Sequence, residues 1–144
     1  MGFLDTYIMK TIKVYISLPI TGQESTVMKR CMEAQERIET IFKESATQDF
    51  KLEVVFPKDV HKIGTSFYDT TKPLGYWLGE NIKLLMECDA VYFCEGTYKN
   101  RGCQLEQKCA SLYEKTLLYD YYSITDNVLE LKRLVRELYR RGIE

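Results

Sequence analysis

Thr11 to Ser17 reads TIKVYIS, a β-branched and aromatic run that predicts a buried strand, broken by Pro19 and Gly22 in the LPITG that follows. Thr21 to Glu24 has capping-box spacing. Val27/Met28, Cys31/Met32, Ile38 and Ile41/Phe42 then recur at helical period between charged residues, predicting a long amphipathic helix that ends near Ala46. Lys51 to Pro57 (KLEVVFP) predicts a second strand, and residues 58 to 76, with Gly64, Pro73 and Gly75, a long loop. Trp77, Leu78, Ile82, Leu85 and Met86 mark a second helix leading into a third strand, Cys88 to Gly96. A third helix begins near Arg101, a fourth strand covers Thr116 to Tyr121, and a last helix runs from about Thr125 to Arg141. Val128, Leu131, Val135 and Leu138 are its apolar face, and Gly142 stops it.

Strand and helix alternate, and the strands are nearly continuous apolar runs. That pattern predicts an α/β, three-layer Rossmann or flavodoxin-like domain, with a parallel sheet of four to five strands and a long C-terminal helix. Residues 11–144 form one domain after an N-terminal extension, residues 1–10, whose myristoylation-like pattern at Gly2 is short and common.

Composition narrows the function. A net charge of -1, with acids and bases mixed along 144 residues, offers no basic field for long nucleic acid or a membrane surface. No apolar run approaches the ~20 residues that span a bilayer. Five cysteines without CxxC spacing, far in sequence from the single His61, predict buried thiols in a cytoplasmic protein and no metal site.

In such folds ligands bind beyond the carboxyl ends of the strands, which selects SLPITGQE, the long loop and EGTYKNRG. The chain has neither GxGxxG nor GxxxxGK[ST], so dinucleotide and P-loop triphosphate chemistry lose their main support. Glu106 is expected in the first turn or so of the third helix, by pattern a surface carboxylate matched to the helix dipole. Tyr15 alone reads as an aromatic filler of the strand, Asn100 as a turn residue and Asn81 as a helix-surface amide.

Together, KVYISLPITG and CDAVYFCEGTYKNRGCQLE resemble the nucleoside 2-deoxyribosyltransferase superfamily, most of all its small bacterial and phage branch, over about Lys13 to Ala110. The resemblance implies an enzyme that cleaves or transfers the N-glycosidic bond of a deoxynucleoside or its monophosphate, without metal or cofactor. It puts the catalytic nucleophile on Glu106, four residues after Gly102, and the strand-1 tyrosine on Tyr15. The sugar- or phosphate-facing loop falls on Ser17 to Gly22, including Pro19 and Ile20. Asn100, Arg101 and Gly102 complete the implied substrate contacts. Asn81 falls where the family carries a second acid, which could relay a proton to the leaving base. Glu80, Asp69 and Glu95 are the nearby acids that could replace it. Trp77, with Phe67, Tyr68 and Tyr76, could stack a base or pack the helix start. A homo-oligomer is also implied. The alternative is a nucleotide-binding sensor of the same fold without turnover, which Asn81 favours; a third reading is an interaction protein docking through Val128 to Leu138.

Overall fold

The structure, a computed structural model, describes residues 10–20, 24–58, 60 and 74–142. Four strands, β1 (Lys10–Ser17), β2 (Phe50–Val55), β3 (Ala90–Phe93) and β4 (Thr116–Tyr119), form one parallel sheet in the order β2-β1-β3-β4. Four α-helices alternate with them: α1 (Val27–Lys43), α2 (Leu74–Met86), α3 (Arg101–Leu112) and α4 (Ile124–Arg140). This is the three-layer α/β architecture that the alternation predicts, with four strands among the described residues.

The period of two along β1 decides which residues meet which helices. Ile12, Val14 and Ile16 face one way, with Tyr92 and Leu118, and pack on α1 and α4 through Cys31, Ile38, Ile41, Leu131 and Val135. Tyr15, Val91 and Phe93 face the other way and pack against Leu85, Cys88 and Ala110 of the α2 and α3 layer. Ser17 is two residues beyond Tyr15, so both side chains look toward α3. Because β1 has β2 on one side and β3 on the other, strand order reverses between β1 and β3. The crevice beyond Ser17 and Phe93 is therefore the binding position typical of such sheets.

Several boundaries differ from expectation. The α-helical part of the first helix starts at Val27, after a 3-10 turn at Glu24–Thr26, and stops at Lys43; Thr21 lies outside the described residues. Its buried face is Val27, Cys31, Ala34, Ile38 and Ile41, while Met28 and Met32 are exposed. Helix α2 begins at Leu74, shortening the predicted loop. Trp77 is thus the fourth residue of this helix rather than its first, buried next to exposed Tyr76. The third strand is shorter than predicted because Cys88 still bonds back to Leu85 at the end of α2. Beyond Phe93, the Thr97 amide and hydroxyl both bond back to the Cys94 carbonyl, and Gly96 turns with φ 86°. Asp89 clamps the opposite end of the sheet: its Oδ2 accepts from the Lys13 amide, and its own amide donates to the Lys13 carbonyl, both at 2.9 Å.

Among the described residues no helix is long and apolar enough to cross a membrane, and no group of His, Cys, Asp and Glu is placed to hold a metal ion.

Candidate functional site

Helix α3 turns Cys103, Glu106 and Ala110 inward, at the i, i+3, i+7 spacing of one helix face. Its start is set by Asn100, which stands at the N-cap in extended conformation while its Oδ1 accepts from the Cys103 amide at 3.0 Å. Gly102 gives the entering chain room: a Cβ there would lie 3.3 Å from Asn100 Oδ1 and 3.6 Å from Leu78 Cδ1.

Glu106 differs from the dipole-matched surface residue expected from its pattern. It is the sixth residue of α3, beyond the first turn, and only 5% exposed. Two hydroxyls from β1 hold it instead. Tyr15 Oη donates to Glu106 Oε2 at 2.7 Å, and Ser17 Oγ donates to Oε1 at 2.6 Å. Each carboxylate oxygen thus accepts from a hydroxyl carried on the central strand, and both bonds stabilise negative charge.

Above this arrangement lies a cavity of about 280 Å³. Leu18, Ile20, Trp77 and Leu78 supply its apolar wall; Asn81, Asn100 and Arg101 supply polar groups; Gly102, Cys103 and Glu106 lie along α3. Its size is close to the lower bound for small-molecule sites. Glu106 is the only carboxylate lining it among the described residues. Burial pushes the Cys103 thiol up to about 12, the Ser17 hydrogen bond works against this, and the Glu106 charge adds to it. The thiol is therefore neutral near pH 7 and does not compete as a nucleophile.

The implied residues fall into distinct places. Glu106, Ile20, Asn81, Asn100, Arg101 and Gly102 all border the cavity. Tyr15 and Ser17 are fully buried and do not line it; hydrogen bonds to Glu106 join them to it. Pro19 does not line it: its carbonyl accepts from Arg30 Nη2 at 2.7 Å, and its Cγ lies 3.6 Å from where a Gly96 Cβ would stand, which makes it part of the scaffold. Gly22 and Asp69 lie outside the described residues, as do Phe67 and Tyr68.

Asn81 is not a surface amide. It is 8% exposed, and its Oδ1 accepts from the Lys58 amide at 2.6 Å, tying the segment after β2 to α2. Glu80 is engaged by Lys58 and Lys83 at 3.3 and 3.0 Å and does not line the cavity; exposed Glu95 does not line it either. The hydrogen bonds from those lysines hold the Glu80 carboxyl below its ordinary range. Trp77 is buried and edge-on to Tyr76, packing the helix start, and it also borders the cavity.

Leu78 and Cys103 are cavity residues that the sequence pattern does not pick out, whereas Leu18 lies within the Ser17 to Gly22 loop expected to face ligand. Leu18 continues β1 beyond Ser17, Leu78 follows Trp77, and Cys103 sits one helical turn before Glu106, so helical spacing from Glu106 could have found the last.

A larger depression of about 780 Å³ lies along the flank of β4 and α4. Its charges largely pair among themselves, Arg133 with Glu130 at 3.0 Å and Arg140 with Glu137 at 2.8 Å, and it holds no buried carboxylate. The smaller cavity, where strand order reverses, has the chemistry. Comparison with protein-family models, curated proteins and solved structures finds no match to the chain.

Proposed function

We propose that this cavity binds a nucleoside or its monophosphate, with a deoxynucleoside as the first expectation, and cleaves or transfers its N-glycosidic bond. One observation carries the reading: a buried carboxylate, fixed on both oxygens by hydroxyls of the central strand, borders a cavity at the reversal point of a parallel sheet.

Glu106 is the nucleophile. It attacks the anomeric carbon as the bond to the base lengthens, through an oxocarbenium-like transition state, and forms a glycosyl ester that water or an acceptor base then resolves. Tyr15 and Ser17 are positioning residues, since neither borders the cavity. Leu18, Trp77 and Leu78 give the base an apolar wall, and Asn100 and Arg101, at the α3 N-terminus, face its polar sugar or phosphate. The reading carries with it a cytoplasmic homo-oligomer that needs neither metal nor cofactor. Five cysteines without disulfides fit that location.

A second reading has its own observation. Asn81 occupies the place implied for an acid and anchors Lys58, which suits a nucleotide sensor that binds without turnover.

Chromatography separates the two. Incubation with the four deoxynucleosides and their monophosphates, with and without an acceptor base, releases free base from wild type and not from Glu106→Ala. Release that persists in Glu106→Ala removes the nucleophile assignment. Thermal stabilisation by nucleotides with no release favours the sensor.

A further inference from the structure

The chemistry lining the cavity narrows the leaving base. Expelling a neutral purine or pyrimidine puts negative charge on the base nitrogen, and a positioned acid that neutralises it contributes roughly 10²–10⁴-fold. Asn81 offers an amide with no transferable proton at neutral pH, and its oxygen is committed to the Lys58 amide. Arg101 borders the cavity, but a guanidinium does not give up its proton. The Cys103 thiol is buried and a poor acid. Glu80 is turned to its two lysines. Among the described residues the cavity thus offers no acid for that proton, but a carboxylate beside an apolar, aromatic wall. That pairing suits a delocalised organic cation, which is cheap to desolvate and is drawn to both a negative charge and a tryptophan ring.

We propose that the site acts on N-glycosides whose leaving base already carries positive charge, a pyridinium or an N7-alkylated purine. This deepens the glycosidic reading of the same cavity and rests on it. The C1′–N bond breaks and its electron pair passes to the ring nitrogen, neutralising the base without a proton. A Glu106 oxygen forms the bond to C1′, so cation and carboxylate become a neutral base and a neutral glycosyl ester. Water then attacks C1′, restores the Glu106 carboxylate and releases the free sugar and one proton to solvent.

The test uses a matched pair, 2′-deoxyguanosine and N7-methyl-2′-deoxyguanosine, which differ in the charge of the leaving base, together with nicotinamide riboside. Each rate is divided by the uncatalysed rate under the same conditions, for wild type, Glu106→Gln and Asn81→Asp. Wild type is expected to enhance cleavage of the cationic substrates about 100-fold or more above that of 2′-deoxyguanosine near pH 6, where N7-methyl-2′-deoxyguanosine is cationic, and to show no alkaline fall-off on nicotinamide riboside from about pH 6 to pH 9. Glu106→Gln loses this enhancement. Asn81→Asp keeps an acceptor for the Lys58 amide and gains more on 2′-deoxyguanosine than on the cationic substrates, with an alkaline fall-off of that gain as the new acid ionises. Equal or greater wild-type enhancement on 2′-deoxyguanosine overturns the cationic-base proposal and leaves the glycosidic reading standing. No cleavage of any substrate above the Glu106→Gln background overturns both.

Discussion

Tyr15 on β1 and Glu106 on α3, 91 residues apart, share a buried 2.7 Å hydrogen bond beneath the cavity. Ser17, on the same face of the strand, adds a second at 2.6 Å. Two donors on one rigid strand fix the carboxylate's position and orientation and offset the cost of burying its charge.

Tyr15→Phe deletes one donor and little volume. A hydrogen bond to a charged group is worth about 1.5–3 kcal/mol, and urea unfolding is expected to show a loss of that size. Because Tyr15 is fully buried and does not border the cavity, the kinetic effect falls on kcat, by roughly 10-fold or more, with KM nearly unchanged. A rise in KM alone would mean that Tyr15 contacts substrate.

Gly102→Ala separates stability from binding. Alanine favours a helix over glycine by up to about 1 kcal/mol, so the variant is expected to unfold at equal or slightly higher urea concentration. The new Cβ would stand 3.3 Å from Asn100 Oδ1 and 3.6 Å from Leu78 Cδ1, shifting the N-cap oxygen by a few tenths of an ångström without breaking its bond and narrowing the cavity. Ligand affinity, read by calorimetry or KM, therefore falls while the fold holds. Unchanged affinity would show that the crowded side of the cavity takes no ligand.

Asn127→Ala tests a fold element remote from the chemistry. The Asn127 side chain accepts from the Tyr119 amide at 3.0 Å and donates to the Tyr119 carbonyl at 2.9 Å, standing in for a neighbouring strand at β4, the edge of the sheet among the described residues. Removing it orphans two buried backbone groups, at about 1–3 kcal/mol each. A stability loss of roughly 2–5 kcal/mol and greater self-association through the opened edge are expected in urea titration and light scattering.

The buried thiols set an alkaline limit. Burial pushes Cys31 up to about 11 and Cys88 and Cys103 up to about 12, from 9.0, and raises Cys94 further. In the unfolded chain these thiols ionise near their ordinary value while the folded chain keeps them neutral. Their contribution is complete below about pH 9 and is lost as pH rises through the folded values. Urea unfolding in reductant is expected to show stability falling above about pH 9, by at most about 1.4 kcal/mol per pH unit for each thiol. A flat profile to about pH 11 would contradict this assignment.

The chain's own patterning determined the alternation of strands and helices, the parallel sheet, and the placing of Tyr15 and Ser17 on one face of β1. It also set Gly102 four residues before Glu106. Each is a local property: a period of two or 3.6, or a fixed spacing along one element. Tertiary structure alone decided that Glu106 is buried, because its exposure depends on how α3 docks against β1, across contacts of 89 and 91 residues. The same holds for Asn81 and Asn127, ordinary polar positions in the sequence that become buried anchors once α2 meets the segment after β2 and α4 meets the edge of β4. It also decided that Leu18, Leu78 and Cys103 border one cavity, since no local period records which elements converge at a sheet's reversal point.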